Sequence, residues 1–365
     1  MTRNVLQAEA GPGPGGLRGR FRFSPVHALW AALLAFAAVA GYAAMGDARQ
    51  VISLVRGAYW PFMLIAVAVE TVYVLALALF MMHTFRAAGL PARLRRFLPL
   101  SLASHFVNVV SKTGGVAGIA LYARESRGQT YSAQESSVAY LMRHFLGYVA
   151  YFVVLAATLV LLYVHGSLHM VEVIGAVVVI SLGAGVVCGG WFVARQPSRL
   201  ERLMLLGGAP VNAVARRIGR GPVIPVARAH EAGVELHRTL QAAMARPVRY
   251  LLPFVFALLV ELLSAVILLI IAAALHADVS FVTAMAVYAI SLLFGIIAFT
   301  PAGLGFVEAS MTFLLISFGV DAPHAIAITV AFRLFDLWIP IALGAISLLL
   351  VYRRGTPRAA AAGPA

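Results

Sequence analysis

Charge is scarce in this sequence and unevenly signed. Only 12% of residues are charged, Lys112 is the sole lysine among 28 basic residues, and 14 acids leave a net charge of +14. Cysteine is scarcer still, and the lone Cys188 excludes a disulfide framework and a cysteine metal cluster. The ten histidines are scattered without metal-ligand spacing, and no Ser/His/Asp arrangement can be assembled. No cofactor or metal is therefore expected. Short segments of alternating polarity are absent, which excludes a transmembrane β-barrel. What is abundant is apolar: 62% of residues are hydrophobic and the mean hydropathy is +0.91, in runs long enough to cross a bilayer repeatedly. The expected fold class is all-α, a polytopic transmembrane bundle. Basic loops in so apolar a chain indicate contact with anionic headgroups rather than nucleic acid.

Taken in order, residues 1–26 read as a basic, disordered cytoplasmic tail. A first membrane half spans 27–194, with spans at His27–Gly46, Ala58–His83, Ser136–Val164 and Glu172–Ala194. Arg86, Arg93, Arg95 and Arg96 follow the second span in a short amphipathic stretch expected on the inner surface. Residues 101–122 are apolar but interrupted by Lys112, Gly114, Gly115 and Gly118. If they crossed, Arg195–Arg249 with its ten arginines would lie outside. That inverts the charge rule, so a re-entrant hairpin is preferred. Residues 195–249 read as amphipathic helices on the anionic inner leaflet, or as a loop that docks a protein. The second half, 250–352, contains Tyr250–Leu275, Val279–Phe299, Thr300–Gly319 and Ala325–Val351; Val279–Gly319 reads equally as a hairpin. A tail, 353–365, closes the chain. Both termini are expected in the cytoplasm, with about eight spans in the inner membrane.

The polar residues within these runs are the candidates for chemistry. Thr300–Asp336 is the densest stretch: Pro301, Gly303 and Gly305 break the helix, and Glu308, Arg333 and Asp336 follow. Gly-rich SKTGGVAG, with Lys112, Thr113, Gly114 and Gly115, could expose backbone N–H groups to a phosphate, and Asn108 and His105 could line the same place. Arg143 and Arg333 lie in spans, where a guanidinium needs a partner or water; bidentate contact to a phosphate or carboxylate is one reading, and pairing with Glu70, Glu261, Glu308 or Asp336, or snorkelling to the headgroups, the other. Glu70 and Glu261 sit near mid-span, where a carboxylate is neutral or paired; proton coupling and an interhelical hydrogen bond both fit.

A weak internal repeat joins the halves. Gly115 matches Gly305, Arg143 matches Arg333, Phe145 matches Phe335 and Tyr148 matches Trp338, each at 190 (305−115, 333−143, 335−145, 338−148). Pro61 and Glu70 are echoed by Pro253 and Glu261 at 192 and 191. Paired spans would run in opposite directions, the inverted arrangement of many transporters.

FVNVVSKTGGVAGIALYARE (Phe106–Glu125), FTPAGLGFVEASMTFLLISFGV (Phe299–Val320) and AFRLFDLWIPIALG (Ala331–Gly344) resemble the transmembrane region of lysylphosphatidylglycerol synthases, a flippase-like family. The resemblance covers about Leu29–Tyr352. It implicates Asn108, Gly114, Gly115, Arg124, Pro301, Gly303, Gly305, Glu308 and Arg333; Lys112 and Thr113 stand where relatives often carry Ser or Pro. Members with an additional C-terminal domain attach an amino acid to phosphatidylglycerol, and their membrane part is associated with moving the product. The sequence ends about fourteen residues after the last span (365−351), so aminoacylation is not expected of it. The expected activity is translocation of a phospholipid or lipid-linked intermediate through a polar cavity. The alternatives are a membrane-embedded transferase with Glu308 as its acid or base, and an accessory subunit whose basic loop recruits a partner synthase.

Overall fold

The computed structural model describes residues 53–111, 116–126, 129–164, 245–298 and 300–355, with scattered positions between 181 and 241. All lie in one compact unit, Asp47–Ala365. The expected N-terminal tail, residues 356–365 of the C-terminal one, the span His27–Gly46, Lys112–Gly115 and most of Glu172–Ala194 and Arg195–Arg249 fall outside the described residues.

The described residues form helices and no strand. They are α1 (Trp60–Ala87), α2 (Leu94–Ser111), α3 (Val116–Glu125), α4 (Ala133–Val164), α5 (Leu251–Ala274, entered through a 3-10 turn Pro247–Tyr250), α6 (Phe281–Ile297), α7 (Phe306–Ser317), α8 (Ala322–Arg333) and α9 (Ile339–Gly355). A 3-10 turn Pro301–Gly303 separates α6 from α7, and a π-helical turn Leu334–Trp338 joins α8 to α9. Four elements are long and apolar enough to cross a membrane: Trp60–Ala87, Ala133–Val164, Pro247–Ala274 and Ala322–Val351, with mean hydropathies of 2.2 to 3.0. Large apolar side chains such as Trp60, Leu64, Phe313 and Leu349 face outward, while Glu70 and Arg333 are buried. That is the polarity of a bundle solvated by lipid. This is a multi-pass membrane protein.

Local signals explain the boundaries. Ser132 and Glu135 form a reciprocal capping box, the Ser132 N–H donating to Glu135 Oε2 at 2.7 Å and the Glu135 N–H to Ser132 Oγ at 3.1 Å. This box starts α4 at Ala133, three residues before the predicted span. Ser280 accepts from the Thr283 N–H to start α6, and Asp321 caps α8. The basic stretch Arg86–Arg96 is divided between two helices. Arg86 ends α1, and Arg95 and Arg96 stand in the first turn of α2; Arg96 reaches across to Glu125 at 3.4 Å and to its carbonyl. The segment predicted as Thr300–Gly319 is helical only over α7, 12 residues or roughly 18 Å, against a hydrocarbon core of about 30 Å. By length α7 is shorter than a full crossing.

The main core joins α1, α4, α5, α6, α7 and α8 through Ala66, Leu155, Leu268, Ala284, Met311 and Ile328 among others. A second, aromatic core binds the ends of α1, α2, α3 and α4: Phe85 lies 4.8 Å from Phe97 and 5.3 Å from Tyr122, and Tyr122 lies 5.0 Å from Tyr140, between ring centroids. α9 packs closely on α2 at Gly344, where a Cβ would sit 2.5 Å from the Leu102 carbonyl oxygen.

Element starts recur along the chain. α5 begins 191 residues after α1 (251−60), α6 187 after α2 (281−94), α7 190 after α3 (306−116), and α8 189 after α4 (322−133). The ends of α1 and α5 also share one pattern of turn bonds. The Gly89 N–H donates to Arg86 and Leu90 to Phe85; the His276 N–H donates to Ala273 and Ala277 to Ala272. Both Gly89 (φ 84°) and His276 (φ 59°) adopt the left-handed conformation that this helix stop requires.

Candidate functional site

Two polar clusters lie inside the bundle. The first is built on the broken turn between α6 and α7. Ala302 is left-handed (φ 54°, ψ 17°), as are Gly303 (φ 65°) and Gly305 (φ 87°). Gly303 admits no side chain: a Cβ would fall 2.7 Å from the Gly295 Cα and 2.8 Å from the Val307 side chain. Glu308, in the first turn of α7, accepts from the Gly305 N–H through Oε2 at 2.6 Å and from Arg333 Nε through Oε1 at 2.7 Å. Arg333, 5% exposed, donates its remaining groups to Asp336 Oδ2 (3.1 Å) and to the Ala302 carbonyl (3.0 Å). One guanidinium thus ties the broken turn, the start of α7 and the π-helical turn together. That π-helical turn has a cause in sequence: Pro340 offers no N–H to the preceding turn, and the ladder widens just upstream of it. The wide turn holds Asp336 beside Arg333.

The second cluster surrounds Arg143. Asn108 on α2 donates Nδ2 to Tyr140 Oη on α4 (2.6 Å) and accepts from the Gly118 N–H on α3 (3.0 Å), bridging three helices. Gly118 is required there, since a Cβ would overlap the Tyr140 hydroxyl. Arg143 stands ten residues into α4 (143−133), roughly 15 Å deep and deeper than the shorter predicted helix implied. Its guanidinium carbon sits 5.1 Å from the Phe80 ring centroid, a cation–π contact, and its buried Nε has no hydrogen-bond partner. No ion pair to Arg143 exists among the described residues. The Nε2 of neighbouring His105 is likewise buried without a partner.

Between the clusters, a crevice too tight to admit water is lined by Glu70, Tyr73, Ser264, Ile267, Phe332 and Asp336. Glu70 is 5% exposed and neither carboxyl oxygen has a hydrogen-bond partner. Glu261 is different, accepting from Tyr288 Oη at 2.9 Å. The halves are also pinned at Tyr151, whose hydroxyl donates to the Ala289 carbonyl at 2.8 Å.

The profile of the lysylphosphatidylglycerol synthase TM region matches residues 29–344. The chain belongs to this family. No curated protein matches it. Of the residues singled out in sequence, the structure brings Glu308, Arg333 and Asp336 together with the Pro301–Gly305 turn, and sets Asn108 near Arg143. Arg124 is exposed in the last turn of α3. Lys112, Thr113, Gly114 and Gly115 lie outside the described residues. Tyr73, Tyr140, Ser264 and Tyr288 were not legible as site residues, because a tyrosine or serine in an apolar run looks the same whether it faces lipid or a buried acid. Gly118 carried a signal, as the glycine after Gly114 and Gly115. Among the described residues, no three His, Cys, Asp or Glu side chains converge as metal ligands would.

Proposed function

We propose that the protein moves a phosphate-bearing lipid headgroup between leaflets, with the acyl tails left in surrounding lipid. The observation that carries this reading is the contrast between the two repeat-related arginines. Arg333 is saturated by Glu308, Asp336 and the Ala302 carbonyl, while Arg143, its counterpart at an offset of 190, has no carboxylate partner among the described residues. The residue matching Glu308 at that offset is Gly118 (308−190). A guanidinium left unpaired in a membrane interior has the charge and fork geometry for a phosphate, and it lowers the cost of carrying an anion through hydrocarbon. Arg333 then acts as a latch on the broken turn, and the paired halves as an inverted repeat that opens alternately to each leaflet. The protein sits in the inner membrane with both termini cytoplasmic, oriented by its arginine-rich segments.

The transferase alternative is less well supported, because both Glu308 oxygens are already bonded. The family name speaks for lipid synthesis or transport as a class. The test uses the purified chain in liposomes carrying fluorescent phosphatidylglycerol, phosphatidylethanolamine or a polyprenyl phosphate. Transfer is expected in the wild type and is expected to fall about tenfold or more in Arg143→Gln, the loss of one charged contact of about 1.5–3 kcal/mol. Wild type that stays folded yet moves no lipid above empty liposomes, or Arg143→Gln that matches it, overturns the reading.

A further inference from the structure

Glu70 is the buried acid that the headgroup site does not use. It lies ten residues into α1 (70−60), at roughly mid-span. Neither of its carboxyl oxygens has a hydrogen-bond partner among the described residues. On its own helix, Tyr73 lines the same crevice. From α5, Ser264 donates to the Val260 carbonyl and Glu261 is itself an acceptor, taken by Tyr288 of α6. From α4, Arg143 lies over Phe80 and forms no ion pair among the described residues. From the π-helical turn comes a second carboxylate, Asp336, whose charge is met by Arg333. An ionised Glu70 would therefore be a desolvated anion without a hydrogen bond, facing another anion. Such a group takes up a proton rather than remain charged.

We propose that Glu70 and Asp336 form a proton-binding site, with the proton carried on Glu70 and Arg333 as the element that senses its loss. With Glu70 neutral, Arg333 needs to balance only Glu308 and Asp336, and the latch on Ala302 stays closed. When the bundle opens this crevice and the proton leaves to water, two carboxylates share one space, and Arg333, already paired with Asp336, is a cation able to turn toward both. Its hydrogen bond to the Ala302 carbonyl is the weakest of its three attachments, being made to a neutral group, and is the one given up. Release frees the Pro301–Gly303 turn. A proton gradient thereby drives the latch, a step that rests on the translocation reading, whereas the proton site itself does not.

The test is carried out on the full chain in liposomes. Dicyclohexylcarbodiimide attacks protonated carboxyls in apolar surroundings, and its adducts are located by mass spectrometry. Glu70 is expected to be modified and to lose modification as the pH is raised. Asp336→Asn, which removes the facing anion, is expected to reduce Glu70 modification several-fold at the same pH. An imposed pH gradient is expected to change the initial rate of lipid transfer in the wild type and to leave Glu70→Gln unaffected. Absent or pH-independent modification of Glu70 overturns the proton site. Modification as expected with transfer indifferent to the gradient overturns the coupling. Modification as expected with no transfer under any condition upholds the proton site and overturns the translocation reading instead.

Discussion

Arg333 shows how one side chain can be read in two ways from sequence and in one way from its contacts. A guanidinium eleven residues into a membrane helix (333−322) must be matched, and here Glu308 and Asp336 match it. Breaking a buried pair by removing one partner costs about 3–5 kcal/mol, because the other charge is stranded. Arg333→Gln is therefore expected to destabilise the purified protein by about that amount. Glu308→Gln, which keeps an acceptor for the Gly305 N–H, is expected to cost less. The double variant should be little worse than Arg333→Gln alone, and thermal unfolding of the three in one detergent gives the coupling directly. Additive losses would show that the pair is not a unit. Arg143 lacks such partners, so Arg143→Gln is expected to leave unfolding within about 1 kcal/mol of wild type while transfer falls, separating a ligand contact from a structural one.

At the scale of elements, turns and close approaches decide where helices stop and how near they come. His276 occupies a left-handed position that its pseudo-equivalent fills with Gly89. His276→Gly is expected to relieve about 1 kcal/mol of backbone strain and raise the unfolding temperature; an unchanged or lower temperature would mean that the imidazole contributes a compensating contact. Gly303→Ala should do the opposite, since φ is 65° and the new Cβ meets the backbone of Gly295. The expected outcome is loss of the latch geometry, seen as a protein that folds with a lower unfolding temperature and no longer gains from having Glu308 and Arg333 both present. Much of this scale was legible. Ser132-x-x-Glu135 and Ser280-x-x-Thr283 are local signals for helix starts, and Pro301, Gly303 and Gly305 marked a break where one is found. The π-helical turn at Leu334–Trp338 was not legible, because a proline kink can be absorbed in several ways and packing selects among them.

For the whole molecule, the recurring order of elements makes a prediction about orientation. If the halves are inverted, the turn after α1 and the turn after α5 face opposite sides of the membrane. With Cys188 replaced by Ser, single cysteines at Ala88 and Ala277 are expected to react with an impermeant maleimide from opposite faces, Ala88 from the cytoplasm. Labelling of both from the same face would rule out inversion and with it the alternating opening of the two halves.

Composition and periodicity by themselves determined that this is an all-α, multi-pass membrane protein, because solvation of the backbone in lipid leaves a long apolar chain few other choices. The spacing of Gly and Pro also located the broken turn. Only the tertiary structure decided which charges meet. Glu308 and Arg333 are 25 residues apart and Asn108 and Tyr140 are 32 apart, and no local rule relates them. Likewise Glu70 and Glu261 look alike as mid-span acids, yet Tyr288 bonds one and nothing bonds the other. That difference arises from helix rotation and packing, which place a donor beside one carboxyl and a second carboxylate beside the other.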